Sequence, residues 1–138
     1  MADKETIEKL NIQKKISKAR VMLQEKELKK TGLNKYSNYT YFELKDILPH
    51  INKICDELGL YCEFQFEDTK ATLTITDSDK IEDFRTWSTP IEIAVLKGCS
   101  TIQNIGGTQS FARRYLYIMA FEVAESDIID GGEIDTDK

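Results

Sequence analysis

Two adjacent arginines, Arg113 and Arg114, interrupt a segment that is otherwise largely apolar, GGTQSFARRYLYIMAF at residues 106–121. A guanidinium group keeps its charge and presents a planar set of donors that fits a phosphate. On a helical wheel, Ser110 and Tyr117 fall on the same stripe as the two arginines, at spacings of three, four and seven residues. A hydroxyl, two guanidinium groups and a phenol on one stripe predict contact with a phosphate backbone and exposed bases.

The rest of this helix is predicted to form a wide apolar face that packs on the core. The predicted face consists of Phe111, Ala112, Tyr115, Ile118 and Met119. An alternative remains open for Arg113 and Arg114, because two arginines on such a helix also suit pairing with carboxylates at a subunit or domain contact.

A second group of basic and aromatic residues lies upstream, where residues 13–42 contain eight basic and two acidic side chains. Lys35 and Tyr36 are candidates for phosphate and stacking contacts with a nucleic acid. Tyr39 and Tyr41 are further candidates, and they fit a core position equally well. Three lysines nearer the N-terminus indicate either a second polyanion-binding surface or a solvated helix face; these are Lys14, Lys15 and Lys18.

Acidic charge is concentrated at the other end of the chain. The 138 residues carry a net charge of −5, and seven of the 24 acidic residues lie in residues 122–138. We therefore expect a domain at 1–124 and an acidic, disordered tail at 125–138. The tail is predicted either to shield the basic surface or to recruit a partner, and deleting it is expected to tighten binding to a polyanion such as a nucleic acid at low salt.

The sequence lacks the residues of a conventional enzyme site, and we expect no cofactor and no catalytic activity. His50 is the single histidine, and the glycines at 106–107 fit neither a phosphate-binding loop nor a dinucleotide fingerprint. The acidic pairs Asp77/Asp79 and Glu82/Asp83 fit a solvated turn better than the metal site of a nuclease.

Three cysteines at odd spacings are predicted to be reduced and mostly buried thiols of a cytoplasmic protein; they are Cys55, Cys62 and Cys99. The N-terminus MADKETIEKL has no apolar stretch of the kind that a secretory signal needs. No run of residues approaches the length that crosses a bilayer, so no membrane partner is expected.

Hydrophobic periodicity predicts the elements that position these residues. A long helix is expected over 4–30, with a polar connector after it. A second helix is expected from Tyr41 or Phe42 to Leu58; Pro49 should either kink it or mark its true start, and Gly59 should end it. Alternating patterns predict strands at 61–66 and 71–76, and a third strand at 81–93.

The last helix is expected to start at Thr108 as its N-cap, because the two glycines before it are expected to interrupt regular secondary structure. This order predicts an α+β fold, in which an antiparallel three-stranded β-meander packs against helices.

The arginine helix and the connector together resemble a known family. Glycines, an aromatic residue and Ala-Arg-Arg-Tyr at residues 106–116, followed by Ala124, Glu125 and Asp127, are similar to the ERF (essential recombination function) family of phage single-strand annealing proteins. The segment NKYSNYTYF at residues 34–42 resembles the Tyr-containing segment that follows the first helix in that family. The similarity covers about residues 10–130.

This resemblance implies properties that the residue spacing does not supply. It implies a core like that of the Rad-type annealing mediators, in which a basic pair on the helix after the sheet lines the DNA groove. It also implies ATP-independent annealing of single-stranded DNA by a ring or filament of identical subunits in the bacterial host cell. A single-strand-binding protein or an exonuclease, from host or phage, is a further expected partner. The alternative function is that of an adaptor that assembles proteins through its helices.

Overall fold

The computed structural model describes residues 3–125, and its first helical region is divided into two helices. Helix α1 spans Lys4–Glu8 and helix α2 spans Ile12–Gln24. The break occurs because Asn11 caps α2, and its side chain accepts a 2.8 Å hydrogen bond from the Lys14 N–H. The predicted single helix over 4–30 is therefore wrong at Asn11, and the helical structure ends at residue 24.

The predicted connector forms a small β-hairpin, which sequence periodicity does not reveal. Strand β1 (Gly32–Asn34) pairs antiparallel with strand β2 (Tyr39–Tyr41). The turn is held by the Asn34 side chain, whose oxygen accepts hydrogen bonds of 3.0 Å from the backbone N–H groups of Tyr36 and Ser37. Glycine is needed at position 32, because a Cβ atom there would collide with the ring of Tyr41.

Helix α3 spans Leu44–Leu58 and begins slightly later than predicted. Its first turn is closed by a capping box between Glu43 and Asp46, which fixes the point where the hairpin enters the helix. The helix continues through Pro49, and Gly59 ends it in the left-handed conformation with φ +74°. The predicted stop at Gly59 is confirmed.

The main sheet is an antiparallel meander of three strands, as the alternating patterns predict. Strand β3 spans Leu60–Phe66, strand β4 spans Lys70–Asp77 and strand β5 spans Phe84–Pro90. The third strand is shorter than the predicted 81–93 because the turn before it extends to residue 83. The face of β4 that carries Ala71, Leu73 and Ile75 is fully buried against the helices.

Helix α4 spans Thr101–Phe121, so the predicted start at Thr108 is wrong. Ser100 is the N-cap and forms a capping box with Gln103, while the glycines at 106–107 lie inside the helix. The Thr108 hydroxyl donates a 2.8 Å hydrogen bond to the carbonyl of Asn104, one turn earlier.

The buried face of α4 also differs from the prediction. Ala112 is buried as expected, but Phe111, Tyr115 and Met119 are 57%, 38% and 49% exposed. The core contacts come instead from Leu116 and from residues toward the end of the helix; these are Tyr117, Ala120 and Phe121.

The described residues thus form a mixed α+β fold, which confirms the predicted class. They comprise four helices, the three-stranded sheet and the two-stranded hairpin. Helix α4 packs on β4, β5 and α2, while α3 packs on α2 and β3. No helix within residues 3–125 combines the length and the apolar character that a membrane span requires.

Candidate nucleic-acid interface

The β1–β2 hairpin and helix α4 enclose an open groove of about 550 Å³, which we call the hairpin groove. Residues 34–42 and 106–116, the two segments singled out in the sequence, are thereby brought together from opposite ends of the chain. Its lining includes apolar Leu33 and Leu44 and acidic Glu43. The basic, polar and aromatic side chains of the lining include Lys35, Tyr36, Tyr39, Tyr41, Ser110 and Arg114.

Arg114 lies at the inner wall of this groove and is held by aromatic rings. Its guanidinium carbon is 4.6 Å from the ring centroid of Tyr41 and 4.7 Å from that of Tyr115. Nη1 donates a 3.4 Å hydrogen bond to the carbonyl of Phe42. At these distances the charge of the guanidinium group is attracted to the aromatic rings.

The mouth of the hairpin groove carries groups that are accessible to a ligand. Tyr36 is fully exposed at the tip of the hairpin, and Lys35 beside it is also exposed. Across the groove, Ser110 and Phe111 are exposed on α4. An ammonium group and a hydroxyl suit phosphate oxygens, while exposed rings offer a stacking surface for bases.

Arg113 points to a different part of the molecule and does not line the hairpin groove. Its guanidinium carbon lies 5.7 Å from the ring centroid of Phe64 on β3 and 6.0 Å from that of Tyr117. Its Nε atom is buried and has no hydrogen-bond partner within the part of the chain that the structure describes. Adjacent residues on a helix diverge by about 100°, so the predicted shared stripe of Arg113 and Arg114 is wrong.

Tyr117 lies in the core and not on the predicted polar stripe. It is 3% exposed and its ring stacks on Phe121, with a centroid distance of 6.2 Å and an interplanar angle of 9°. Burial raises the pKa of the Tyr117 phenol to about 12. A phenol in this position supports the packing of α4 on the sheet and is not accessible to a ligand at the surface.

Lys15 is also buried, which corrects its assignment to a surface of basic residues. Its ammonium nitrogen donates hydrogen bonds of 2.6 Å to Asp77 and 2.7 Å to Asp79. Burial by itself lowers the pKa of Lys15, but these two hydrogen bonds outweigh it and raise the pKa above its usual value. The pair Asp77/Asp79 is therefore neither a simple solvated turn nor an open metal site, because both carboxylates bind Lys15.

The other two lysines of α2 remain at the surface. Lys14 and Lys18 are exposed, and α2 packs with its opposite face on α3 and α4. Neither lysine lines the hairpin groove within residues 3–125. They remain candidates for a separate contact with a polyanion.

An acidic residue approaches the inner wall of the groove from the C-terminal side. The Glu125 carboxylate accepts a 2.8 Å hydrogen bond from the Phe42 N–H, and its other oxygen lies 3.8 Å from Nη1 of Arg114. The rest of the predicted acidic tail, residues 126–138, lies outside the described residues. Glu125 therefore places a carboxylate beside the cation that the groove presents.

Several residues that line the groove, among them Phe111 and Asn34, are not assigned to a site from the sequence. Sequence reasoning assigns Phe111 to the core, and it places Asn34 in an irregular connector. The turn that Asn34 forms could have been recognised from the sequence, because an asparagine side chain often accepts hydrogen bonds from the backbone two and three residues later, as it does here from Tyr36 and Ser37.

The burial of Lys15 also has a signal in the sequence. Its spacing from Ile12 and Ala19 places it on the apolar stripe of α2.

Residues 3–125 contain no group of three or more His, Cys, Asp and Glu side chains that could hold a metal ion. His50 is half-buried on α3. The side chains that line the hairpin groove suit the binding of charged and aromatic groups.

Comparison with known proteins places the chain in a family. The family model described as the ERF superfamily matches residues 12–138, which is most of the chain. No curated protein and no solved structure matches the chain. The matched range includes both walls of the hairpin groove.

Proposed function

The chain belongs to the ERF superfamily, and from that premise we propose that it binds single-stranded DNA and anneals complementary strands without ATP in phage recombination. The observation that carries the proposal is the convergence of two segments on one open groove. Lys35 and Tyr36 come from the hairpin, and Ser110 and Arg114 come from α4. These are the side-chain types that bind a phosphate backbone and stack on unpaired bases.

Binding follows from charge and shape and needs no sequence-specific contact. Lys35 and Arg114 contact phosphates and release counterions, which makes affinity depend on salt and not on base sequence. Tyr36 stacks on a base at the mouth of the groove, a contact worth about 1–3 kcal/mol. Arg114 contributes less to the affinity for DNA than an exposed arginine would until Glu125 moves away, because the Glu125 carboxylate already lies beside its guanidinium group.

Annealing requires that many weakly held nucleotides stay available for pairing. A single groove holds only a short stretch of strand, so several subunits in a ring or filament are needed to hold a longer one. The bases that do not stack on the protein are free to pair with a second strand. Lys14 and Lys18, both exposed, provide a second contact for DNA on α2. A single-strand-binding protein or an exonuclease is a further partner in this scheme.

The test combines binding and annealing with the full chain. A fluorescently labelled oligonucleotide is titrated at several salt concentrations, and pairing of two complementary strands is followed without nucleotide. We expect affinity to fall steeply with salt, and we expect Lys35→Ala and Tyr36→Ala to weaken binding while leaving the melting temperature unchanged. Lys97→Ala, which changes an exposed lysine outside the groove, is the matched control. Wild-type levels of binding and annealing in both groove variants would contradict the assignment.

An adaptor function is the second candidate, and exposed apolar residues favour it. Val95 is 89% exposed and Ile102 is 75% exposed, on the loop before α4 and on its first turn. An adaptor would use such residues for protein contacts and would show no salt-dependent affinity for oligonucleotides. The titration described above therefore separates the two functions.

A further inference from the structure

Two thiols meet between helix α3 and strand β3, at residues that do not line the hairpin groove. The Sγ atoms of Cys55 and Cys62 are 3.9 Å apart. Cys55 is 5% exposed and Cys62 is half-buried, whereas Cys99 is exposed. The prediction of mostly buried thiols is therefore wrong for Cys99, and the spacing does not reveal that the other two form a pair.

The local fold explains why residues seven apart come together. Cys55 lies in the last turn of α3, and the left-handed conformation of Gly59 reverses the chain after that helix. Strand β3 then runs back along α3 and brings Cys62 beside Cys55. The two thiols are close because of the helix-to-strand connection and not because of a CxxC spacing.

We propose that Cys55 and Cys62 are a redox modification site, where hydrogen peroxide converts the two thiols to a reversible intrachain disulfide. The Cys62 thiolate attacks one peroxide oxygen, the O–O bond breaks, and the released hydroxide takes up a proton to leave as water. The Cys55 sulfur then attacks Sγ of the resulting Cys62 sulfenic acid. The S–S bond forms as the S–O bond breaks, and the expelled hydroxide leaves as water with the Cys55 proton.

The environment assigns different roles to the two thiols. The hydrogen bond from Cys55 lowers the pKa of Cys62, while the same hydrogen bond and burial raise the pKa of Cys55. Cys62 is also the more exposed of the two. Cys62 is thus the thiol that meets the oxidant, and Cys55 is the resolving thiol behind it.

The bond requires only a small movement and fixes one helix to the sheet. The sulfurs must close from 3.9 Å to about 2 Å to form the bond. The disulfide links the end of α3 to β3, and it restricts the unfolded chain more than the folded one. We therefore expect the oxidised protein to melt at a higher temperature than the reduced protein. This inference does not depend on whether the chain binds DNA.

The test is to oxidise the full chain with a small excess of hydrogen peroxide and to map its thiols. Trypsin places both cysteines on one peptide, residues 54–70, which should lose two hydrogens. A second cleavage after Glu57 should leave its two fragments linked until dithiothreitol is added. The Cys99→Ser variant should give the same result and the same rise in melting temperature, whereas Cys62→Ser should give neither.

Several outcomes would overturn the proposal. One is oxidation confined to Cys99, including dimers linked through it. Another is sulfinic acid on Cys62 with Cys55 still free, because the resolving step would then be too slow. A fall in melting temperature on oxidation would show that the bond does not fit the folded structure. The mapping of the wild-type chain decides the matter even if Cys62→Ser folds poorly.

Discussion

Glu125 and Arg114 lie close together at the inner wall of the hairpin groove, with 3.8 Å between a carboxylate oxygen and Nη1. The second oxygen of Glu125 accepts a hydrogen bond from the Phe42 N–H at 2.8 Å. A carboxylate in this position offsets the charge of the cation that a DNA phosphate would contact in the proposed complex. If the groove binds DNA as proposed, the acidic C-terminal region competes with the strand for this one cation.

We expect Glu125→Gln to tighten binding of single-stranded DNA severalfold at low salt. The amide keeps an oxygen that accepts from the Phe42 N–H but removes the charge beside Arg114. The gain should shrink above about 0.2 M salt, where screening weakens both competitors. Fluorescence anisotropy with a labelled oligonucleotide measures it, and deletion of residues 126–138 should act in the same direction.

Glu122→Gln is the matched control for this prediction. Glu122 carries the same charge at the end of α4 but is 64% exposed, and its carboxylate lies 3.9 Å from Arg20 instead. It should leave affinity close to that of the wild type. Equal effects of Glu122→Gln and Glu125→Gln would mean that net charge, and not occupancy of the Arg114 site, governs binding.

The two arginines should differ when they are changed one at a time. Arg114→Ala should weaken DNA binding and make the slope of log affinity against log salt shallower by about 0.7, the value for one phosphate of a single strand. Arg114→Lys should keep more of that salt dependence because it keeps the charge. Arg113→Ala should mainly lower stability, by about 1 kcal/mol, because it removes the packing of Arg113 on Phe64 and Tyr117.

Gel-shift titrations and thermal melts of these variants together decide the assignment. The double Arg113→Ala/Arg114→Ala variant should bind DNA about as weakly as Arg114→Ala alone. A loss of affinity caused by Arg113→Ala and not by Arg114→Ala would place the phosphate contact on the other side of α4. Unfolding of both single variants would instead favour a structural role for the arginine pair.

The sequence predicts those elements of the fold whose pattern of apolar residues lies within one segment of the chain. The alternation at Ala71, Leu73 and Ile75 correctly predicts a strand with one buried face. The hairpin is not predicted because strands of three residues carry no usable periodicity. The buried face of α4 could not be predicted because its apolar residues surround the helix, so tertiary contacts decide which of them pack.

The residues of the candidate site were predictable in part, but their spatial arrangement was not. Residues 34–42 and 106–116 carry recognisable side chains, but only the fold shows that they line one groove. The burial of Lys15 rests on Asp77 and Asp79, which are more than sixty residues away. The spacing of Lys15 from Ile12 and Ala19 indicates its burial, but it does not indicate which carboxylates pair with it.

We expect Lys15→Met to destabilise the fold by about 3–5 kcal/mol, because it leaves the buried Asp77 without its partner. The side chains of Lys15 and Asp77 are 0% and 4% exposed. Lys14→Met, one residue away on the exposed face of α2, should change stability by no more than about 0.5 kcal/mol. Urea unfolding measures both, and equal midpoints for the two variants would refute the buried ion pair.

Gly106→Ala should stabilise the protein by about 0.5–1 kcal/mol, because Gly106 lies inside α4 and an added Cβ meets open space. Gly107→Ala should act similarly, but Gly107 lines the hairpin groove, so it is the better probe of DNA binding. Thermal melts show whether each substitution raises or lowers the stability of the protein. Destabilisation by Gly106→Ala would restore the prediction that these glycines interrupt regular secondary structure.

Stability should fall at alkaline pH through Tyr117 and Lys15. Burial raises the pKa of Tyr117 to about 12, and the carboxylate hydrogen bonds of Lys15 outweigh its burial to raise its pKa as well. The folded state then holds more protons than the unfolded state above about pH 10, so the free energy of unfolding falls as pH rises. For Tyr117 the loss develops between about pH 10 and 12 and amounts to at most about 3 kcal/mol. Denaturant unfolding of the wild type and Tyr117→Phe across this range measures the loss. The stability of the phenylalanine variant should fall less steeply with pH, since the contribution of Tyr117 is removed. Parallel curves would exclude Tyr117 as a source.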